Sequence, residues 1–321
     1  MKIKEVIKSV PFIKTVGKKY YIFSQFKDDA KSFSRHYCES AEASGDYRYS
    51  IMLIVHSLEK GMCMPNPRPF GKDKANKLLK LLKNSKDKKT FEYNLGISAL
   101  NKWIEFYKEK RWEIDSFMES CIKFLENKTI TLDAGFKVYT PCILENQIEY
   151  ERVVMSRHSV RDFKSQKLRD EDIDFAIKCF IETPTACNRQ MCRLIYVEDK
   201  NKKDLLNKVI IGLPGFNTNN VQYFVVTYDL AAFAYSGERQ QGMFNAGLCT
   251  MNFVNGLHAK KIGSCCLQWS NKKKEDIQTR KALGLNESER IAVVIAAGYY
   301  LDTNVIPCST RRSKNEIFRK I

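Results

Sequence analysis

The chain has 321 residues, of which 44% are hydrophobic and 12% aromatic, a composition that predicts a packed core and excludes a wholly disordered protein. Its formal net charge is +17, with 27 Lys and Arg against 19 Asp and Glu in residues 1–150 and 27 against 18 in the remainder. A spread basic excess favours anionic partners, but a lysine-rich solvated surface explains most of it, and no apolar run approaches the roughly 18 residues of a membrane span.

The N-terminus is basic. Residues 1–20 hold six lysines and one glutamate, and apolar side chains recur at helical spacing from Ile3 to Val10. One interpretation is an amphipathic helix that lies on a membrane surface. We favour a frayed N-terminal helix instead, because Pro11 interrupts the pattern. The apolar block is also too short for a secretion signal, so we expect a cytoplasmic protein that does not associate with membranes.

Residues 30–130 read as mostly helical. A buried helix is predicted in "YRYSIMLIVHSLEKGM", which is largely apolar. An amphipathic helix with leucines on one face and lysines on the other is predicted in "KDKANKLLKLLKNSKDKK", and "ALNKWIEFYKEK" continues in the same manner. The sequence pattern changes from mostly helical to alternating helix and strand near residue 145, in "YTPCILENQIEYE". We therefore predict two domains, a mostly helical N-terminal extension over 1–145 and a second domain over 146–321.

The second domain alternates helical and strand patterns. The helices are predicted in "LRDEDIDFAIKCFIE", "NKKDLLNKVI", "RQQGMFNAGLCTMNFVNGLHAKK" and "KKEDIQTRKALG". The strands are predicted in "CRLIYVED", "VQYFVVTYD" and "RIAVVIAAGYY", which are rich in β-branched and aromatic residues. This order predicts a central sheet flanked by helices, with loops collected at one edge.

Two polar segments of the second domain offer ligand-binding groups. In "RHSVRDF", Arg157 and Arg161 present planar forks of donors that match phosphate oxygens, and they share one face if they begin a helix. In "TPTACNRQ", the amides of Asn188 and Gln190 donate and accept hydrogen bonds, which suits a heteroaromatic ring. Each segment taken alone is equally typical of a solvated turn.

Two later segments complete the candidate site. "KIGSCCLQW", which we read as a loop after a long helix, has a glycine followed by small residues, so its backbone can approach a ligand closely. "STRRSKNEIF", near the C-terminus, holds a second arginine pair. The two basic clusters either close on one phosphate or lie separately on the surface.

The ordered set of four segments resembles the nitroreductase family of FMN-dependent oxidoreductases. Members carry an R-[RH]-S-x-[RK]-x-F motif, a P-[ST]-x-x-N-x-Q loop, a G-[LI]-G-[ST]-C stretch and a basic C-terminal segment. Here these read "RHSVRDF", "PTACNRQ", "KKIGSCC" and "STRRS", in that order, over roughly residues 150–321. The resemblance implies an α+β fold with a central, mostly antiparallel sheet flanked by helices, preceded by a mostly helical N-terminal region outside the family domain.

The resemblance also implies how the FMN phosphate is held. Arg157 and Arg161 would contact the phosphate and the ribityl chain, with His158 and Ser159 nearby. The C-terminal pair that would complete the phosphate clamp consists of Arg311 and Arg312.

Further residues are implied at the flavin ring of a homodimer. Those that would reach FMN from the second subunit are Pro184, Thr185 and Asn188. Asn217 would lie near the ring, and Phe216 beside the substrate space. The stretch whose backbone would lie near the reactive N5 edge comprises Cys266, Leu267 and Gln268.

The implied activity is transfer of hydride from NADH or NADPH through flavin N5 to an electron-poor small molecule, with ping-pong kinetics. No side chain is expected as an obligatory catalytic acid or base, and Arg161 or a neighbouring lysine would stabilise the reduced flavin. An alternative is a flavin-binding or flavin-less relative with a specialised role in a biosynthetic pathway, such as one for a surface polysaccharide.

Other classes of function have less support. Aromatic and basic residues alternate in "KKYYIFSQFK", which could stack bases, but no nucleic-acid-binding motif is present and we expect no such partner. The eleven cysteines include no CxxC pair and only four histidines accompany them, so we expect no metal site.

Overall fold

The computed structural model describes residues 11–64, 67–137, 147–307, 309 and 311–321. Within these residues, no helix combines the length and the apolar character needed to cross a membrane.

The N-terminal region is helical, as predicted. Its helices are α1 (Pro11–His36), α2 (Cys38–Ala43), α3 (Arg48–Met62), α4 (Lys72–Asn84), α5 (Phe91–Glu109) and α6 (Ser116–Leu125). Side-chain caps explain two of the starts, because Thr90 accepts from the Tyr93 N–H and Asp115 from the Met118 N–H. The predicted N-terminal helix before Pro11 lies outside the described residues. The described α1 begins at Pro11, where proline is tolerated in a first helical turn, and continues for 26 residues.

The second half of the chain alternates helices and strands. The helices are α7 (Gln147–Ser156), α8 (Asp170–Ile181), α9 (Lys200–Val209), α10 (Gln241–Ala259), α11 (Lys273–Ala282) and α12 (Lys314–Ile317). The strands are β1 (Cys192–Val197), β2 (Gln222–Asp229), β3 (Ile262–Gln268) and β4 (Glu289–Tyr299). Three acidic residues in the first turn of α8 face the positive end of its dipole, which favours the helix start that the sequence predicts.

The four strands form one antiparallel sheet in the order β1-β2-β4-β3. The α+β fold with an antiparallel sheet is therefore confirmed. The "IGSCC" segment is not the predicted loop but the edge strand β3, in which Gly263 pairs with Gly298 and Cys266 with Ile295 of β4. Its small residues suit a strand because Phe163 and Tyr300 lie where side chains at the two glycines would project.

Helices cover the sheet, and part of the N-terminal region joins the same core. Cys38 and Tyr49 belong to the buried cluster that includes Phe224 of β2 and Phe253 of α10. A separate cluster, which includes Trp103, draws its buried residues from α3 to α6. The predicted boundary near residue 145 lies outside the described residues, and the division into 1–145 and 146–321 stays a prediction.

Candidate functional site

The "RHSVRDF" stretch runs in an extended conformation along the outer edge of β3. Ser159 bridges Ser264 in parallel, and the Val160 N–H donates to the Ser264 carbonyl at 3.0 Å. The two arginines therefore do not share the face of a helix, because α7 ends at Ser156. In an extended chain, alternate residues share a face, so Arg157 and Arg161 still lie on the side opposite the buried Val160.

A histidine of α10 anchors the start of this stretch. His258 Nε2 lies 2.8 Å from Ser156 Oγ, and its Nδ1 lies 2.8 Å from the Tyr300 hydroxyl. Burial, and after it the positive charges of Arg157 and His158, lowers the pKa of His258. A neutral imidazole can serve as both donor and acceptor, so it can bridge the two hydroxyl groups while adding no further positive charge beside Arg157.

The side chains of the third motif alternate between exposed and buried positions along the end of strand β3. The Cys266 and Gln268 side chains are exposed, whereas Leu267 is buried in the core beneath the sheet. The exposed pair lies on the same strand that binds the "RHSVRDF" stretch, so the structure brings the first and third motifs together. The buried Leu267 offers only backbone groups to a ligand.

The loop that holds Phe216 and Asn217 packs against the end of the first motif. The Asn220 side-chain amide donates to the Phe163 carbonyl at 2.9 Å. Phe216 is half-buried against the core cluster that contains Phe163 and Leu267, and Asn217 is exposed. The structure therefore assembles three pieces of the predicted site, the first motif, the third motif and the Phe216–Asn217 loop, at the β3 side of the sheet.

The second motif lies elsewhere, in the loop between α8 and β1. Pro184 and Asn188 are exposed and Thr185 is half-buried. Cys187, Asn188 and Gln190 have φ values of 51°, 49° and 49°, which non-glycine residues adopt infrequently. Strained backbone of this kind persists only where its surroundings hold it in place.

A buried arginine holds this loop. Arg189 is 1% exposed; its Nε donates to the Ala186 carbonyl at 2.9 Å and Nη1 donates to the Ala232 carbonyl. Its guanidinium also binds the Glu238 carboxylate through both oxygens, at 3.1 and 2.5 Å. Asn245 of α10 accepts from the Ala186 N–H at 2.8 Å.

Helix α10 separates the two groups of site residues. Asn245 contacts the second motif, and His258, thirteen positions later, contacts Ser156 beside the first motif. At 1.5 Å per residue these contacts lie about 20 Å apart along the helix. One copy of the chain therefore places the first and second motifs at opposite ends of α10.

The C-terminal arginines make local contacts. Arg311 Nη1 donates to the Ser309 carbonyl at 2.7 Å, and Arg312 Nη1 lies 3.9 Å from Glu316 Oε1. Both side chains are exposed. Their part in a phosphate clamp with Arg157 stays a prediction.

A cavity of about 400 Å³ adjoins the second motif. The N-terminal region contributes Met52 and Phe91 to its wall, and the other domain contributes Thr185 and the thiols of Cys192 and Cys249. Sequence patterns gave no sign of this cavity, because its two sides are distant in the chain.

The donor set suits a flavin mononucleotide in two respects. The first motif offers two guanidinium groups and a hydroxyl over five residues, which matches a phosphate and a polyol chain. The second motif presents exposed amide and backbone groups on a strained loop, which suit the mixed donors and acceptors of a ring. The described residues include no group of three or more His, Cys, Asp or Glu side chains arranged to hold a metal ion.

Three residues that hold the site segments in place, Arg189, Glu238 and His258, were not predicted from the sequence. Arg189 and Glu238 are 49 positions apart, and His258 is 102 positions from Ser156. Arg189 stands inside the second motif, but nothing in one sequence distinguishes a buried arginine from a solvated one. The opposite charges of Arg189 in "NRQ" and Glu238 in "SGE" do not by themselves predict an ion pair, because no regular spacing in the sequence links the two residues.

The model of the nitroreductase family matches residues 154–299. No curated protein matches the chain at a significant level. Among solved structures, a nitroreductase complex with FMN from Desulfovibrio desulfuricans is 20% identical and covers 56% of this chain and 98% of its own, with a TM-score of 0.46. An FMN-dependent nitroreductase from Clostridium difficile R20291 is 18% identical and covers 53% and 98%, with a TM-score of 0.45.

The family match covers both the first and the third motif and all four strands. Residues 1–153 precede it, and the part of them that the structure describes is mostly helical. The chain therefore carries a nitroreductase-family domain, an oxidoreductase domain, at residues 154–299.

Proposed function

We propose that the protein is an FMN-dependent NAD(P)H oxidoreductase that reduces an electron-poor small molecule by a ping-pong mechanism. The observation that carries the proposal is the extended "RHSVRDF" stretch on β3, which presents Arg157, Ser159 and Arg161 beside the exposed Cys266. Guanidinium forks on an ordered backbone edge suit phosphate binding.

In this site, the protein's task is to bind and orient. Arg157 and Arg161 would hold the phosphate and ribityl chain, with His158 and Ser159 as neighbouring donors. The C-terminal segment would add a second basic contact through Arg311 and Arg312.

When bound, FMN supplies hydride transfer at N5. The backbone from Cys266 to Gln268 would lie at that edge, and positive charge from Arg161 would stabilise the reduced ring. Phe216 and Asn217 would line the space for nicotinamide and substrate in turn.

A homodimer would complete the site. Pro184, Thr185 and Asn188 lie at the opposite end of α10 from Arg157, about 20 Å away along the helix. A two-fold axis across α10 brings the end of one helix beside the opposite end of its copy. The second motif of one subunit would then reach the FMN of the other.

The exposed side of α10 supports this pairing. Phe244, Leu248 and Met251 follow at i, i+4 and i+7 on one face, and are 61%, 37% and 43% exposed. Apolar stripes of this kind mark interaction surfaces. Light scattering should give twice the 37.3 kDa mass of one chain. A monomeric form that binds FMN as tightly as the dimer would contradict a site shared between subunits.

Substitution of Arg157 tests the cofactor assignment. Arg157→Ala should weaken FMN binding by about 1.5–3 kcal/mol, roughly ten- to 150-fold, because one charge-assisted contact is lost. Arg157→Lys should recover part of the affinity, since it keeps the charge without the fork. The control is Lys88→Ala, which removes an exposed charge from the N-terminal region. Equal FMN affinity in the wild type and Arg157→Ala, measured by flavin fluorescence, would refute the assignment.

A second candidate function remains open. The additional N-terminal region joins the core and contributes to the 400 Å³ cavity, which favours a protein with a specialised role in a biosynthetic pathway. The two candidates differ in redox behaviour. Bound flavin that NADH and NADPH both fail to reduce would favour the specialised role.

A further inference from the structure

Helix α1 exposes a continuous aromatic face. Val16, Tyr20, Phe23 and Phe26 are 50%, 78%, 74% and 68% exposed. At about 100° per residue, these four positions fall within a sector of about 120° around the helix. We call these four residues the α1 aromatic face. Large apolar side chains gathered on one sector mark a surface that contacts something.

The rest of the protein attaches to α1 at residues that follow Phe26. Asp28 forms an ion pair with Lys273 at 2.8 Å. Phe33 stacks on Phe233 and on Tyr37, with ring centroids 6.2 and 6.3 Å apart. Asp28 and Val16 are twelve positions apart, which turns Asp28 about 120° away from Val16. Phe33 lies only about 20° from Phe26 around the helix, but both contacts follow Phe26 along it and leave the earlier aromatic face exposed.

The same sector is positively charged. The exposed Lys19 and Lys27 lie between the aromatic side chains around the helix. The acidic residues of α1 are Asp28 and Asp29, and both lie outside the sector. The charged side chains within the sector from Val16 to Lys27 are therefore lysines alone.

An anionic lipid surface fits this combination. Aromatic side chains insert at the boundary between headgroups and acyl chains, and lysines are attracted to anionic headgroups. A second copy fits less well, because antiparallel pairing of two such faces brings lysines against lysines. We propose that the α1 aromatic face docks the protein onto an anionic membrane surface, as a peripheral helix that lies in the plane of the interface.

This inference reverses the expectation of no membrane association. The sequence pattern predicts an N-terminal helix that Pro11 interrupts, with "KKYYIFSQFK" outside it. The structure instead places that stretch inside a 26-residue helix, where Tyr20, Phe23 and Phe26 share one face.

Vesicle co-sedimentation of the full-length protein tests the proposal. The protein should sediment with vesicles of phosphatidylcholine mixed with phosphatidylglycerol, and much less with phosphatidylcholine alone. The double variant Phe23→Ser with Phe26→Ser should bind the anionic vesicles at least about tenfold more weakly, since it loses two inserting rings. Lys19→Gln with Lys27→Gln should weaken binding about 30-fold.

Matched controls separate this site from the overall charge of +17. Lys86→Gln with Lys88→Gln removes two exposed lysines elsewhere, and Tyr235→Ser removes an aromatic side chain that is 71% exposed. Both controls should bind the anionic vesicles like the wild type, and circular dichroism should show that every variant is folded. Equal losses in the two lysine pairs would overturn the proposal.

Self-association gives the remaining outcome. If Phe23→Ser with Phe26→Ser halves the mass in solution without changing vesicle binding, the face belongs to a second copy and the membrane proposal is wrong. A wild-type protein that fails to bind anionic vesicles would also overturn it.

Discussion

Replacing Arg189 with methionine should destabilise the protein strongly. The side chain is 1% exposed and makes hydrogen bonds to Glu238 and to the carbonyls of Ala186 and Ala232. Breaking a buried ion pair by removing one partner typically costs about 3–5 kcal/mol. The Glu238 side chain is 21% exposed, so water can replace part of the lost contact, and we expect a loss near the lower end, about 3 kcal/mol.

Equilibrium urea unfolding followed by circular dichroism measures this loss. The double variant Arg189→Met with Glu238→Gln should recover part of it, with a coupling energy of about 1.5 kcal/mol or more, because no unpaired carboxylate then remains. Arg193→Met, at an exposed neighbouring arginine, is the matched control and should cost less than about 1 kcal/mol. A cost for Arg189→Met as small as that of the control, or simple additivity in the double variant, would refute the reasoning.

The same pair predicts a pH dependence. Burial alone would raise the pKa of Glu238, but its hydrogen bonds from Arg189 and the Ala234 N–H outweigh burial and lower it below 4.5. A carboxylate with a lowered pKa stabilises the fold above its ordinary pKa and loses that contribution as the pH falls. The wild type should therefore lose more unfolding free energy below pH 4.5 than Glu238→Gln does, and equal losses would contradict the assignment.

Two further predictions concern α10. Because the pKa of His258 is lowered from 6.5, the unfolded chain binds its proton more readily, so unfolding free energy should fall as the pH drops below 6.5 and fall less in His258→Gln. A Cβ at Gly256 would lie 2.7 Å from Ala176 Cα, so Gly256→Ala should push α8 away and cost about 1–3 kcal/mol in thermal or urea unfolding. Gly17→Ala, with open space around it, is the control and should cost nothing.

Local patterns were sufficient to predict the sheet elements. The β-branched runs around Val225 and Val294 predicted β2 and β4, and the helical periodicity predicted α8 and α10. Burial of one face makes hydrophobic residues recur at a regular spacing along the sequence. The glycine and small residues of β3 gave no such signal. That strand depends on the close approach of Phe163 and Tyr300 to Gly298 and Gly263, which is a tertiary contact.

Motif order was sufficient to predict part of the candidate site. The first and third motifs do meet, since Ser159 bridges Ser264, and the Phe216 loop joins them. The contacts that hold the second motif could not be predicted, because Arg189 pairs with Glu238 across 49 positions and no local period links them. The aromatic face of α1 was missed for a simpler reason: the sequence pattern predicts no helix that begins at Pro11, where the structure has α1.

The visible spectrum of the purified protein tests the central claim most directly. We expect a yellow protein, or one that turns yellow when loaded with FMN, whose flavin absorbance bleaches on addition of NADH or NADPH and returns with an electron-poor acceptor. A folded, colourless protein that takes up no FMN would contradict it.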